Sequence, residues 1–509
     1  MRANYFVRPV LAFVLVVLLA SCGGGLRRSR PGRYIPQKRE FRGAWIPTIY
    51  RSEYSKLSRI EARELLTKRL ALLQRMGCNA VLFQVRAESD AWYRSDYEPW
   101  SKYLSGEQGL MPEDGWDPLA FVVDECHKRG MELHAWINPL RGAANANDFL
   151  AENHPARRYP DWFVRYGNQL VLDPGLPQAR RYVCKIVEDI TKRYDIDAIH
   201  LDDYFYPYPI PGTRFPDDQS FERHGLSAGY HPGDRATWRR NNINLLVYEL
   251  SQTIRAAKPW VRFGVSPFGI YRNKRTHSKG SMTTGLQNYD DLYADVLHWA
   301  NEDWIDYVAP QIYWNEGTKG SDYQVLVKWW SKHLRNERVQ LYIGQDIKRT
   351  MDAGQLERKL LLSQRLSQGN IFWPADELIR NYGGVGEELH HTYQHSRALM
   401  PEQRGFLGQS KPPKMPASLW EDHNEAGHVL IWEDERDPQD PESAFYYGVY
   451  AFPKGEEVNL NNPKALVGIS TSTYYKLPSL DGATRYTFLV TAINRFWLES
   501  EPRKIRVVI

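Results

Sequence analysis

Short apolar stretches alternate with longer amphipathic stretches along the chain from residue 41 to residue 375. The short stretches are rich in Val, Ile and Phe, as buried strands are, whereas the long ones repeat apolar residues at helical spacing. Residues 118–129 begin with Pro118 and are followed by Gly130, as helices commonly begin and end. The pattern predicts eight strands, with helices such as 59–76 between them. The strands are predicted at residues 42–48, 80–85, 132–137, 198–202, 262–267, 306–312, 340–343 and 370–373.

This order of strands and helices predicts an α/β fold. Eight strands with helices between them are the content of a (β/α)8 TIM barrel, which we expect to occupy residues 41–404. A doubly wound parallel sheet is the alternative, but no glycine-rich phosphate-binding loop follows the first strand. We therefore expect a barrel with its active site at the carboxyl ends of the strands.

The pattern changes after the barrel. Residues 405–416 read GFLGQSKPPKMP, a composition typical of a linker, and residues 417–509 are predicted to be all-β, with strands at 428–432, 444–451, 471–477 and 486–492. The order of these segments resembles a fibronectin type III module, which implies that Trp432 is its buried tryptophan and Tyr486 its tyrosine corner. We expect this module to fold by itself and to take no part in catalysis.

The amino terminus predicts export from the cytoplasm. Arg2 and Arg8 precede an apolar run at 10–19, too short to span a bilayer, and the run ends in Leu-Ala-Ser-Cys22 followed by three glycines. This resembles a bacterial lipobox, which implies a signal peptide at 1–21, a lipidated Cys22 and a tether at 22–40. With no acidic residue close behind Cys22, the resemblance favours an outer-membrane lipoprotein that faces the periplasm. An ordinary secretory signal is the alternative.

Composition excludes several classes of protein. With 25% charged and 42% hydrophobic residues the chain is neither disordered nor collagen-like, and a formal charge of +5 gives no strong field for nucleic acid. Three cysteines besides Cys22, without a C-x-x-C motif, predict neither a disulfide framework nor a zinc site. The 17 tryptophans belong either to a large core or to platforms for flat apolar faces such as sugar rings.

Polar and aromatic residues cluster at the predicted strand ends, where barrel enzymes carry their chemistry. We expect the tryptophans to offer flat apolar faces to a ligand such as a sugar ring and the polar side chains to bind its hydroxyl groups. His134 and His200 stand on separate strands without a matching set of carboxylates, so we expect no metal and no cofactor. The predicted substrate-binding residues are Trp45, Arg86, His134, Asn138, Arg141, Asp173, Tyr204, Gln311, Tyr313, Trp314 and Trp373.

Asp202 and Asp203 are the predicted catalytic centre. A glycosidase needs one protonated and one ionised carboxyl group, and two adjacent acids at the end of an apolar strand are costly unless they are paired or used. Successive residues of a regular strand point to opposite faces, so we expect unequal roles and a partner acid from elsewhere. Glu88 and Asp173 are the candidates, with Glu88 preferred as the acid. Alternatively, the two aspartates cap a loop or bind a nearby arginine.

Several long motifs lie along the predicted barrel. They are RGAWIPT (42–48), the segment 79–106, GMELHAWINPLR (130–141), LDPG (172–175), IHLDDYFYP (199–207), FGVSPFGIYRN (263–273) and DYVAPQIYW (306–314). These motifs resemble the glycosyl hydrolase-like 10 family, a group of bacterial TIM-barrel proteins that are often lipoproteins. The resemblance covers roughly 40–400 and implies hydrolysis of a cell-wall-type glycan, since one family enzyme cleaves peptidoglycan strands already stripped of stem peptides. A non-catalytic glycan-binding lipoprotein is the alternative.

A fainter resemblance links strand 4 and Trp373 to chitinase-type barrels. The catalytic glutamate of that group is replaced here by Tyr204. The replacement favours a mechanism with two carboxylates over one assisted by the substrate.

Overall fold

The computed structural model describes residues 34–403, 410–425, 427–478 and 484–509. The predicted signal segment, Cys22 and residues 405–409 of the predicted linker lie outside the described residues. None of the helices in the described part of the chain has the length and apolar character needed to cross a membrane.

A closed barrel of eight parallel strands confirms the predicted fold class. The strands up to the end of the barrel are β1 Phe41–Ile46, β2 Ala80–Arg86, β3 Glu132–Ile137, β4 Arg141–Ala143, β5 Phe163–Tyr166, β6 Gln169–Leu172, β7 Ala198–Leu201, β8 Arg262–Val265, β9 Tyr307–Val308, β10 Gln340–Asp346 and β11 Gly369–Trp373. Around the barrel their order is β1-β11-β10-β9-β8-β7-β3-β2, and β4 to β6 form a separate antiparallel sheet that the sequence did not predict. That sheet lies in the long connection between β3 and β7.

Helices follow the barrel strands as the periodicity predicted. The first begins with a capping box, in which Ser58 and Glu61 bond each other's backbone N–H groups, and the third is capped by Asp117 before Pro118. The α-helices are α1 Arg59–Arg75, α2 Lys102–Ser105, α3 Pro118–Lys128, α4 Pro155–Arg158, α5 Pro177–Arg193, α6 Asp218–Ser220, α7 Arg235–Ala257, α8 Asn288–Asp291, α9 Val296–Asn301, α10 Tyr323–His333, α11 Ile347–Asp352, α12 Leu356–Leu366, α13 Ala375–Ile379 and α14 Val385–Glu388.

The carboxyl-terminal part of the chain forms two antiparallel sheets, consistent with a β sandwich. One has the order β12-β13-β16 and the other β15-β14-β17-β18. Trp432 is 1% exposed and packs edge-on against Tyr447, as expected for a core tryptophan, while the fibronectin type III assignment remains a prediction. We call these strands, together with the described segments that connect them, the C-terminal sandwich: β12 Ser418–Asn424, β13 Gly427–Glu433, β14 Tyr446–Pro453, β15 Leu466–Ser470, β16 Tyr474–Lys476, β17 Arg485–Ile493 and β18 Arg503–Val508.

The barrel and the C-terminal sandwich belong to one compact unit, Tyr34–Ile509. Tyr446 and Trp497 of the carboxyl-terminal part share one apolar cluster with Phe41 and Tyr307 from the barrel interior. Arg495 forms an ion pair with Asp195 at 2.7 Å. Separation of this module from the barrel would expose these aromatic side chains, and its folding by itself remains a prediction.

Candidate active site

A cavity of about 240 Å³ opens at the carboxyl ends of the barrel strands. Seven of its residues were predicted as site residues, Trp136 and Ser266 lie on predicted strands but were given no role, and Tyr208 was not predicted. Strand alternation from His134 could have identified Trp136, whereas no sequence pattern marks Tyr208, which lies beyond the end of β7. The residues that line this active-site cavity are Trp45, Trp136, Asp202, Asp203, Tyr204, Tyr208, Ser266, Gln311, Tyr313 and Trp373.

Both adjacent aspartates line the cavity, which differs from the expectation that they point to opposite faces. The physical reason is that β7 ends at Leu201, so neither Asp202 nor Asp203 belongs to the regular strand. Strand alternation therefore does not apply to them. Each is 3% exposed, and the two carboxyl groups are near enough for the charge of Asp203 to raise the pKa of Asp202.

Asp202 is held by donors from the neighbouring strand. Its Oδ2 accepts hydrogen bonds from Trp136 Nε1 and Asn138 Nδ2, each at 3.2 Å. Burial raises the pKa of Asp202 from 3.8 to about 7, against the opposing effect of the Arg141 guanidinium. A carboxyl group with this pKa is partly protonated at neutral pH, as a general acid must be.

Asp203 has a different set of partners. Its Oδ2 accepts a short hydrogen bond from the Tyr208 hydroxyl, and the Gln311 side chain is a second donor. Burial raises the pKa of Asp203, while both donors and Arg141 favour its charged form. The ring of Tyr208 stacks on that of Tyr204 with centroids 5.5 Å apart. The two aspartates thus occupy unequal environments, as a pair with different roles requires.

The structure does not bring Glu88 or Asp173 into the cavity as partner acids. Glu88 accepts a 2.5 Å hydrogen bond from the Ala144 N–H and lies 3.5 Å from Lys102 Nζ. Asp173 accepts from the Gly175 N–H at 2.8 Å and lines a separate cavity of about 570 Å³. Burial raises the pKa of both carboxyl groups, that of Asp173 to about 6. The pair in the cavity is therefore Asp202 and Asp203.

Arg86, Asn138 and Arg141 support the cavity without lining it. Arg86 forms two hydrogen bonds with Glu98, at 2.7 and 2.8 Å, and donates to the Asn138 carbonyl. The Asn138 side chain donates to Asp202, and the Arg141 guanidinium lies 4.3 Å above the Tyr204 ring. These residues hold the segment from Asp202 to Tyr204 in place. Their contact with substrate remains a prediction.

Two further predicted residues lie outside the cavity. Trp314 packs edge-on against Phe268 with ring centroids 5.4 Å apart. His134 is fully buried inside the barrel, where it contacts Tyr307 and Glu132. Across the described residues, no group of three or more His, Cys, Asp or Glu side chains is arranged to hold a metal ion.

Tryptophans form much of the cavity wall. Trp136 and Trp373 meet edge to face at 6.1 Å, and Trp45 meets Tyr313 in the same way at 6.4 Å. Aromatic rings offer flat apolar faces, while their N–H and O–H groups make directed polar contacts, as the Trp136 indole does with Asp202. A ring-shaped, partly polar ligand beside two carboxyl groups fits this arrangement.

Two glycosyl hydrolases are among the known proteins similar to this chain. The chain is 39% identical to Glycosyl hydrolase YngK of Bacillus subtilis strain 168 over 487 residues, which are 92% of this chain and 93% of that relative. It is 36% identical to Glycosyl hydrolase DigH of Escherichia coli strain K12 over 368 residues, 66% of this chain and 82% of that relative.

Among solved structures, the PgaB (BpsB) glycoside hydrolase domain from Bordetella bronchiseptica matches with a TM-score of 0.48 and 12% identity, over 70% of this chain and 99% of that one. The family model described as Glycosyl hydrolase-like 10 matches residues 40–360. The family match and the two relatives confirm the expectation of a glycoside hydrolase, and the chain belongs to the glycosyl hydrolase-like 10 family.

Proposed function

We propose that this protein hydrolyses a glycosidic bond of a bacterial cell-wall-type glycan through Asp202 and Asp203. The observation that carries the proposal is the pair of adjacent buried carboxyl groups with unequal hydrogen-bond partners on one aromatic cavity. A cavity at the carboxyl end of a barrel is also where enzymes of this fold act.

In this mechanism Asp202 is the general acid, and Asp203 acts in its ionised form as the nucleophile or the general base. Asp202 gives its proton to the glycosidic oxygen as the bond to the anomeric carbon breaks, and its pKa of about 7 keeps that proton available at neutral pH. Asp203 either attacks the anomeric carbon or takes a proton from the water that does so. Tyr208 and Gln311 hold Asp203 for this role by donating hydrogen bonds to it.

We propose peptide-free peptidoglycan strands as the substrate. The resemblance of the strand-4 and strand-6 motifs to a family with that activity supports this choice. The cavity of about 240 Å³ is below the range of about 300–1,000 Å³ that drug-sized ligands occupy, so we expect it to hold one sugar unit of the strand.

The test compares peptidoglycan strands stripped of stem peptides with intact peptidoglycan, and measures new reducing ends. We expect wild type to cleave the stripped strands, and Asp202→Asn and Asp203→Asn to be inactive with unchanged circular dichroism. Equal cleavage of intact peptidoglycan would refute the substrate. A wild type that binds every glycan tried and cleaves none would refute hydrolysis and favour the glycan-binding alternative.

We propose that the protein is lipid-anchored through Cys22 in the outer membrane and faces the periplasm. The apolar run that ends in Leu-Ala-Ser-Cys22 supports this location. Cys22→Ser should move the protein from the membrane fraction to the soluble periplasmic fraction, since that change removes the lipid attachment site. Wild type found in the soluble fraction would refute the anchor.

A further inference from the structure

A chain of hydrogen bonds runs from the active-site cavity through the barrel interior. Trp45 Nε1 lies 3.1 Å from His200 Nε2, and His200 Nδ1 lies 2.9 Å from the Tyr307 hydroxyl. The same hydroxyl lies 2.8 Å from His134 Nδ1, and His134 Nε2 lies 2.9 Å from Glu132 Oε2. We call these five side chains the relay. It connects a residue of the cavity with Glu132 at the amino-terminal end of β3.

The relay has one consistent direction of donation. The Trp45 indole N–H can only donate, so His200 Nε2 is an acceptor, which the Ser266 hydroxyl at 3.0 Å shares as a second donor, and the proton of this imidazole is on Nδ1. That proton points to the Tyr307 oxygen, and the Tyr307 hydroxyl then donates to His134 Nδ1. The remaining proton of His134 is on Nε2 and points to the Glu132 carboxylate. Each member therefore fixes the tautomer or rotamer of the next.

Burial and charge keep this direction fixed. Both histidines are fully buried, and burial lowers their pKa, which leaves each ring neutral. Glu132 forms an ion pair with Arg262, and this partner helps to lower the pKa of Glu132 to about 2. The carboxylate is thus a permanent acceptor at the far end of the relay.

The far end of the relay is completed by a residue from the carboxyl-terminal part of the chain. Trp497 lies between β17 and β18, is 1% exposed, and donates its indole N–H to Glu132 Oε1 at 2.5 Å. Tyr446 of β14 stacks on the Trp497 ring with centroids 4.7 Å apart. One oxygen of Glu132 therefore faces His134 and Arg262, while the other is held by Trp497.

We propose that Glu132 and Trp497 are positioning residues for the cavity: through the relay they fix the orientation of the Trp45 ring. This inference rests on the proposed function only in that Trp45 is taken as a platform for a sugar ring. It gives the C-terminal sandwich a role in substrate binding, although no residue of that sandwich lines the active-site cavity.

The experiment uses the full chain with tryptophan and histidine labelled with ¹⁵N, and reads the indole N–H signal of Trp45 and the tautomer of His200 by NMR. Trp45→Phe identifies the tryptophan signal by its loss. Tyr307→Phe removes the central hydroxyl and keeps the ring, and Trp497→Phe removes the donor at the far end. Tyr446→Phe is the matched control, since it changes the same interface outside the relay.

We expect the Trp45 signal to move in both Tyr307→Phe and Trp497→Phe, and to stay in place in Tyr446→Phe. In Tyr307→Phe the His200 ring should also populate its other tautomer. On a soluble glycan, KM should rise about two- to tenfold in the two relay variants, the range that one net hydrogen bond provides, with a smaller change in kcat.

Unchanged Trp45 and His200 signals in folded Tyr307→Phe would overturn the proposal. A signal that moves in Tyr307→Phe but not in Trp497→Phe would overturn the role of the C-terminal sandwich. Glu132→Gln replaces Trp497→Phe if the latter does not fold, because it alters the acceptor that Trp497 and His134 share. The NMR signals do not depend on turnover, so a wild type without hydrolase activity would refute the proposed function and leave the relay testable.

Discussion

Replacing Asp202 with asparagine should stabilise the protein at alkaline pH while it abolishes hydrolysis. Asp202 is 3% exposed, and burial raises its pKa from 3.8 to about 7. A difference of this size corresponds to about 4 kcal/mol between the two protonation states, which is an upper value because the protein relaxes around the charge. The charged Asp202 carboxylate therefore destabilises the folded state, whereas asparagine is uncharged and does not.

The pH dependence follows from the sign of this difference. Between pH of about 4 and about 7 the folded chain keeps the Asp202 proton, whereas the unfolded chain has released it. The free energy of unfolding therefore falls as pH rises through that window and stays at the lower value above it. Well below a pH of about 4 the Asp202 carboxyl is protonated in both the folded and the unfolded chain, so the variant and wild type should differ little there, apart from about 1 kcal/mol for altered hydrogen bonds.

The assay is urea unfolding of wild type and Asp202→Asn at pH of about 4.5 and about 8.5. We expect the variant to gain about 2–4 kcal/mol relative to wild type at the higher pH. Asp306→Asn is the matched control: Asp306 has its pKa raised by burial to about 7 and binds the Phe263 N–H, but it lies outside the cavity. It should show the same stability change and keep its activity. A stability difference for Asp202→Asn that is equal at the two pH values would refute a proton held by Asp202.

Three more substitutions test the site and the barrel around it. Tyr208→Phe removes a donor to Asp203, so kcat/KM should fall about 10- to 100-fold and its acidic limb should move to higher pH; an unchanged pH profile would contradict the role of Tyr208. Gly264→Ala places a Cβ 1.9 Å from the Tyr307 ring and should cost about 1–3 kcal/mol or more in urea unfolding; wild-type stability would contradict the close packing. Arg86→Lys breaks the two-bond contact with buried Glu98 and should cost about 3–5 kcal/mol, and a thermal melt equal to wild type would count against this.

The barrel was predictable because its strands and helices have different periods and lengths. The third predicted strand matches β3 residue for residue, and the second ends one residue before β2 does. The sixth was predicted at 306–312, yet β9 contains two residues, Tyr307–Val308. Pro310 has no N–H to donate to a neighbouring strand, and Gln311 forms an isolated bridge beyond it. Apolar character therefore identified the segment but not the length of its pairing.

Strand alternation predicted which face a side chain occupies only where the strand was regular. Alternation along the predicted second strand and the residues after it would place Gln84, Arg86 and Glu88 on one face. The pairing of β2 with β3 shifts its register between Gln84 and Arg86, and the strand ends at Arg86, so alternation does not extend to Glu88. A single extra residue in one strand redirects the side chains that follow it. Such a shift leaves no mark in the hydrophobic pattern.

The module boundary shows a different limit of sequence reasoning. A linker rich in Gly, Pro and Lys reports how the chain is connected, but it carries no information about which surfaces meet after folding. Trp497 reads as one more apolar residue of an all-β segment, and Glu132 as the first residue of a barrel strand. Their 2.5 Å hydrogen bond forms because Glu132, buried at the amino-terminal end of the barrel, needs donors, and Arg262 and His134 occupy only one of its oxygens. Through its second oxygen, Glu132 binds Trp497 and so joins the carboxyl-terminal part of the chain to the barrel.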